Sequence, residues 1–325
     1  MMNFCTLFDS HYLSRGLTLY NSLKKQCASF HLYVVAFDEK TLEVLSTLKP
    51  EHLTVISLQD FENKNLLAVK PLRSKAEYCW TCTPSTVRYC LDTFQLSDCT
   101  YIDADLYFYN DPEILKNEMG DASVSITPHN FSASYKEYSK FGKYCVQFMT
   151  FKNNEEGRKV LEDWEKSCLD WCYAKLENNR FGDQKYLDEW PHKFSSVYEI
   201  NNPGSGIAPW NVQQYRFDRP TGNLTGIVLE SDQAFKPIFY HFHGLKFFKN
   251  NLLALTTEYL LNANCRQHIY YPYLIELDAT QVMLAEHGFA EDVQGVQSFN
   301  PPEEPALTFK NVLKYFRVKI KQILS

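Results

Sequence analysis

The sequence predicts an α/β fold with a mixed, mostly parallel central sheet flanked by helices. Three observations carry this. Short apolar runs alternate with segments of helical spacing through the first third of the chain. Several of those runs stop at an aspartate. A chain of 325 residues, 45% hydrophobic and 22% charged, also has ordinary globular composition and length enough to bury a large core.

The elements follow in order. NFCTLFD (3–9) is a short strand ending in Asp9. YLSRGLTLYNSLKKQ (12–26) carries Leu13, Leu17, Leu19 and Leu23 at helical spacing. FHLYVVAFD (30–38) is a second strand ending in Asp38, with a helix through EKTLEVLSTLK behind it, and LTVISL (53–58) is a third. SKAEYCWTCTPSTVRYCLDTF reads as helical on both sides of Pro84, before the strand CTYID. Strands separated by helical segments imply parallel pairing. Further on, YCVQFMTF (144–151) is a strand and residues 154–176 a long amphipathic helix. GDQKYLDEW (182–190) opens another helix, and FSSVYEI and IFYHFH are strands.

NPPEEP begins a Pro-rich linker (300–308), since its prolines continue neither helix nor strand. The tail, 309–325, places Lys310, Lys314, Arg317 and Lys321 on one helical face beside an apolar face. A basic amphipathic helix on an acidic chain fits an anionic membrane surface, and it equally fits docking on the protein itself.

Bulk properties exclude some functions. A formal charge of −6 argues against a general nucleic-acid binder. No apolar run reaches the roughly 18 residues of a membrane span. The N-terminus MMNFCTLF shows no secretory signal, so the expected setting is cytoplasmic with reduced cysteines. Cys79-x-x-Cys82 lacks a second pair at zinc-finger spacing, and Cys168 and Cys172 fall on one helical face.

Ligands of open α/β sheets bind beyond the carboxyl ends of the strands. Asp9, Asp38, Asp103 and Asp105 all fall there, although any single strand-end Asp can be a simple cap. Asp103 and Asp105, in TYIDADLYFYNDP, are the informative pair. Residues i and i+2 of a strand share a face, so both can meet one ligand. Two carboxylates suit a hard divalent cation such as Mn²⁺ or Mg²⁺.

At these residues the chain resembles the GT-A fold nucleotide-diphospho-sugar glycosyltransferases, in particular the bacterial group related to glycogenin and the lipopolysaccharide galactosyltransferases. TLFDSHYLSRGLTLYNSL matches that group's nucleotide-gripping first strand and turn. YIDAD matches its metal-binding strand, YHFHG (240–244) its H-F-x-G, and Asp183-Gln184 its D-Q pair. The resemblance covers about residues 3 to 250.

It implies a GT-A domain over 1–299, with a nucleotide-binding half at about 1–112 and an acceptor half at about 113–299. Asp103, Asp105 and His241 would hold the metal, with His243 as runner-up. Phe8, Asp9 and Tyr12 would surround the nucleobase, Tyr12 by stacking. Asp183 and Gln184 would face the donor sugar and acceptor; for Asp183 a helix N-cap is the competing role.

The sequence also departs from the group's pattern. The usual Tyr-x-Arg reads Tyr78-Cys79-Trp80, which leaves Arg73 or Lys75 as the nucleotide's cation. The usual Asn-x-Gly reads Cys145-Val146-Gln147. The expected lysine after the histidine reads Phe247, leaving Lys246 or Lys249 for the phosphates.

The implied activity is metal-dependent transfer of a hexosyl group from a nucleotide diphosphate sugar, UDP favoured, to a glycan or lipid-linked hydroxyl, as in polysaccharide biosynthesis. Retention is slightly favoured over inversion. The tail would bring the enzyme to the inner face of the cytoplasmic membrane.

A haloacid dehalogenase-type phosphatase also uses Asp-x-Asp after a strand. There, however, the nucleophile ends the first strand and Thr or Val follows the pair, where this chain has Leu106 after three strand–helix units. A catalytically inactive sugar-binding relative is the non-enzymatic alternative.

Overall fold

The computed structural model describes residues 1–220 and 222–298, together with the backbone of Leu307–Thr308. The tail 309–325, and with it the expected basic helix, lies outside the described residues.

Strand β1 (Met2–Phe8) leads through helix α1 (Leu13–Gln26) to β2 (Phe30–Ala36), then through α2 (Glu39–Leu48) to β3 (Leu53–Ser57). Three short helical segments precede α3 (Lys75–Thr93), which returns the chain to β4 (Asp98–Ile102). The main sheet is completed by β6 (Val124–Pro128), β7 (Tyr144–Lys152) and β8 (Val197–Glu199), with β5 (Leu106–Phe108) lying outside it. Its order is β3-β2-β1-β4-β7-β6-β8. The four strands on the β3 side pair in parallel, β7 runs antiparallel to β4 and β6, and β8 is parallel to β6.

Side-chain alternation along β1 explains the layering. Met2, Phe4 and Phe8 enter one core with Leu13, Leu17 and Val44, while Cys5 and Leu7 enter a second with Val87, Leu91 and Trp164 of the helices opposite. Each large side chain removed from water contributes roughly 1.5–3 kcal/mol. Burial on both faces is why β1 and β2 read as nearly unbroken apolar runs. Gly16 lets α1 lie close on β1, because a Cβ there would meet the Phe8 ring at 2.4 Å.

Helix α3 begins at a capping box, in which Ser74 N donates to Glu77 and Glu77 N to Ser74 Oγ. It runs through Pro84 without ending, held by burial of both flanking turns.

Two helix expectations are corrected. Helix α4 (Glu155–Asp170) stops at Asp170 instead of running to 176. Tertiary partners take the next backbone groups: Tyr186 Oη donates to Trp171 O at 2.6 Å, Gly182 N to Tyr173 O at 3.0 Å, and Ala174 N to Glu77 at 2.9 Å. Cys172 therefore lies past the helix, not on its face with Cys168. Residues 182–190 form a turn and a 3-10 segment, Lys185–Glu189, before one short helix, Trp190–Lys193.

The remaining strands are short. β9 (Tyr215–Asp218), β10 (Thr225–Val228) and β11 (Ala234–Phe235) make one small sheet, and β12 (Phe239–His241) pairs antiparallel with β5. β13 (Lys246–Phe248), β14 (Leu252–Ala254) and β15 (Leu307–Thr308) make another, so the end of the expected linker pairs as a strand. Helix α5 (Tyr271–Glu286) closes over α1 through a buried Thr18–Thr280 hydroxyl contact of 3.0 Å. No helix among the described residues is long and apolar enough to cross a membrane.

Candidate active site

The chain builds β1, β2 and β3 outward in one direction, then crosses to the other side of β1 with β4. Such a reversal opens a crevice at the carboxyl ends of the two central strands. Asp9 and Asp103 directly follow those ends.

Asp38 is explained by local structure alone. It caps α2, accepting from Thr41 N at 2.9 Å, and takes Ser10 Oγ at 2.7 Å.

Asp103 and Asp105 converge, but not as neighbours on one strand face. Strand β4 ends at Ile102, and both acids sit in the turn before β5. Strand β12, paired with β5, sets His241 opposite Leu106. Its Nε2 lies 3.1 Å from Asp105 Oδ1 and 3.8 Å from Asp103 Oδ2. Its Nδ1 meets Gln147 Oε1 at 2.8 Å. Both ring nitrogens of His241 thus face oxygens. Burial alone would lower its pKa, yet the charge and hydrogen bond of Asp105 hold it well above the ordinary value. Burial also works against both acids. His241 outweighs it at Asp105, held at about 2, while Asp103 is pushed up to about 6 with Asp105 adding to the rise.

Cys145 completes the cluster. Cys145 and Gln147 share one face of β7, and Cys145 Sγ, an Asp103 carboxylate oxygen and a His241 nitrogen all lie within 4.8 Å of one another. Two carboxylates, an imidazole and a thiol gathered in one cluster fit a divalent metal. His243 lies beyond the end of β12, exposed, its ring centroid 5.5 Å from that of His241.

Asp183 does not cap a helix. Gln184 precedes the 3-10 segment, and Asp183 is buried, with its carbonyl accepting from Trp164 Nε1 at 2.9 Å. Thr83 bonds its carboxyl, but Oδ2 meets no partner among the described residues. Burial first, and the charge of Asp103 second, push its pKa up to about 7. Gln184 Nε2 donates to Phe141 O at 3.0 Å.

The other expected residues are placed as follows. Tyr12 is an exposed ring backed by the Arg15 guanidinium 4.5 Å from its centroid. Phe8 is different from expectation, its ring lying in the core against Gly16. Asp9 pairs with Lys75, so of the two candidate cations Lys75 stands at the end of β1. Arg73 instead lies over Tyr173, at 3.9 Å, and donates to Leu169 O. Lys246 opens β13 close behind His243.

Sequence reasoning missed Arg15. It is 3% exposed, and its guanidinium donates to the carbonyls of His11, Gln294 and Leu245 at 3.0–3.1 Å. Its charge also helps hold Asp105 ionised. Missed too was an arc of aromatic rings. Trp210 lies 5.4 Å from His241 and next to Tyr259, and the contacts continue through Tyr138 and Phe141 to Phe181, beside Gly182. The tyrosines and phenylalanines are half-buried. The high aromatic content was the one available signal, and it named no residue.

No family model matches the chain. It is 33% identical over 251 residues to the uncharacterized protein YfnF of Bacillus subtilis, covering 75% of this chain and 81% of that one. It is 28% identical over 280 residues to the uncharacterized protein YfnD of the same organism, covering 85% and 88%. Among solved structures, the galactosyltransferase LgtC, in complex with donor and acceptor sugar analogs, matches with a TM-score of 0.55 at 12% identity, over 86% of this chain and 96% of that one. The bifunctional glycosyltransferase WbbM matches with a TM-score of 0.52 at 12% identity, over 89% of this chain and 51% of that longer one. At such identities the likeness is one of fold.

Proposed function

Since the chain belongs to the family of Bacillus subtilis YfnF and YfnD and has the GT-A fold, we propose that it is a metal-dependent glycosyltransferase. It transfers a hexosyl group from a nucleotide diphosphate sugar, UDP-linked in the first instance, to a hydroxyl of a glycan or lipid-linked acceptor. The observation that carries this reading is the meeting of Asp103, Asp105 and His241 at the switch-point crevice, with buried Asp183, one of whose carboxyl oxygens has no partner among the described residues, near enough to feel the charge of Asp103.

Asp103, Asp105 and His241 would hold Mn²⁺ or Mg²⁺, and a bound ion would neutralise charge on the departing diphosphate. Tyr12 offers the nucleobase an exposed face that Arg15 keeps in place. Lys75 and Lys246 supply cations near the nucleotide. Asp183 and Gln184 face the sugar and acceptor, and their role is chiefly to position them. The aromatic arc supports a saccharide acceptor, because aromatic faces pack well on sugar rings. We favour retention of configuration. The basic residues of 309–325 support a lipid-linked acceptor met at the inner membrane face by a cytoplasmic, peripheral enzyme, each cation adding about 1 kcal/mol near an anionic surface.

The test is thermal stability with UDP, GDP, CDP and dTDP, each with and without Mn²⁺, for the wild type and Asp105→Ala. A metal-dependent shift for one nucleotide, lost in the variant, is expected and names the donor's base. Absence of any nucleotide shift, with hydrolysis of a phosphate ester, would replace the transferase by a phosphatase.

A further inference from the structure

We propose that Cys145 is itself a metal ligand, so that the site takes a borderline cation of the Zn²⁺ or Co²⁺ class in preference to Mg²⁺. The inference rests on the transferase reading and concerns the identity of its ion.

The geometry is that of ligands around one ion. Zinc–sulfur and zinc–nitrogen bonds of about 2.3 and 2.0 Å put two ligands roughly 3.5 Å apart at a tetrahedral ion, or about 4.3 Å apart when opposite. The Cys145, Asp103 and His241 ligand atoms, all within 4.8 Å of one another, need little movement to reach this. Two further features favour it. Gln147 Oε1 bonds His241 Nδ1 at 2.8 Å, the outer contact that fixes a ligating imidazole, and it stands on the same strand face as Cys145. Asp105 lies 3.1 Å from the other nitrogen and approaches from the turn between β4 and β5.

A buried thiol is ordinarily a small apolar side chain. Cys145, 4% exposed, differs in facing a carboxylate and an imidazole. The cluster Cys5–Cys90–Cys99 lacks both and is enclosed by apolar core. On coordination the thiol proton passes to solvent. A thiolate favours Zn²⁺ and Co²⁺ over Mg²⁺, whose preference is for oxygen.

The experiment uses the full chain, metal-stripped and reduced, titrated with Co²⁺ and followed by absorbance. Competition by Zn²⁺ and Mg²⁺ is measured in the wild type, Cys145→Ser, Cys145→Ala, Cys90→Ser and Asp103→Asn. We expect a near-ultraviolet thiolate-to-cobalt band that both Cys145 variants lose. Their Zn²⁺ affinity should fall on the order of tenfold while Mg²⁺ affinity changes little. A band that survives in the Cys145 variants but disappears in Cys90→Ser would assign the metal to the core thiols and overturn the proposal. Visible cobalt bands that depend on Asp103 without the thiolate band would also overturn it, while leaving the transferase site standing. Cobalt binding independent of Asp103 would bring down both.

Discussion

Replacing Asp183 by Asn should stabilise the metal-free protein and abolish its activity. The carboxyl is buried, one oxygen lacks a partner, and its pKa is raised from 3.8 to about 7. Below about pH 4 the group is protonated in both folded and unfolded chains, so it costs nothing. Between 3.8 and about 7 the unfolded chain gives up a proton that the folded chain keeps, and stability falls as pH rises. Above pH 7 the full penalty applies. At about 1.4 kcal/mol per pH unit it reaches roughly 4 kcal/mol. Asn keeps the shape and removes the charge. Urea denaturation with a chelator present, followed by both fluorescence and circular dichroism, should show Asp183→Asn gaining about 4 kcal/mol at pH 8 and only about 1 kcal/mol at pH 4.5. A gain that is equal at both pH values, or absent at pH 8, would refute the reasoning. Storing strain where chemistry is done, at a cost in stability, is a common trade.

Two further outcomes concern the frame around the site. Asp38→Ala removes the α2 cap and the Ser10 tie, and should cost about 1–2 kcal/mol at neutral pH. Burial opposes ionisation of Asp38, but its bonds to Thr41 and Ser10 hold the carboxyl at about 2, so the wild type's advantage is present above 3.8 and fades as pH falls through 2. Melts across that range would show the deficit shrinking. Lys185→Met leaves Asp188, which pairs with Lys185 at 2.7 Å where both are under a tenth exposed, as an uncompensated buried charge. A loss of about 3–5 kcal/mol is expected, with most of it recovered in Lys185→Met/Asp188→Asn, where Lys143 N keeps an acceptor. A double variant as unstable as the single one would contradict this.

The sequence by itself determined the parallel half of the sheet, because strands buried on both faces must be apolar throughout and the helices between them must carry apolar stripes. The spacing of Asp103 and Asp105 after an apolar run singled that pair out, and the resemblance of YHFHG pointed to His241; the structure brings the three side chains together. Where backbone groups are taken by distant partners, the local pattern misleads: Trp171 and Tyr173 end α4 early because Tyr186 and Gly182 claim their carbonyls.

Only the tertiary structure decided the setting of the site. The register of β7 beside β4, and of β12 beside β5, brings Cys145 and Gln147 to an imidazole nearly a hundred residues away. The packing of α3 and α4 buries Asp183 beside Thr83 and Trp164. Pairings of that range depend on which strands become neighbours, and no spacing along the chain encodes them.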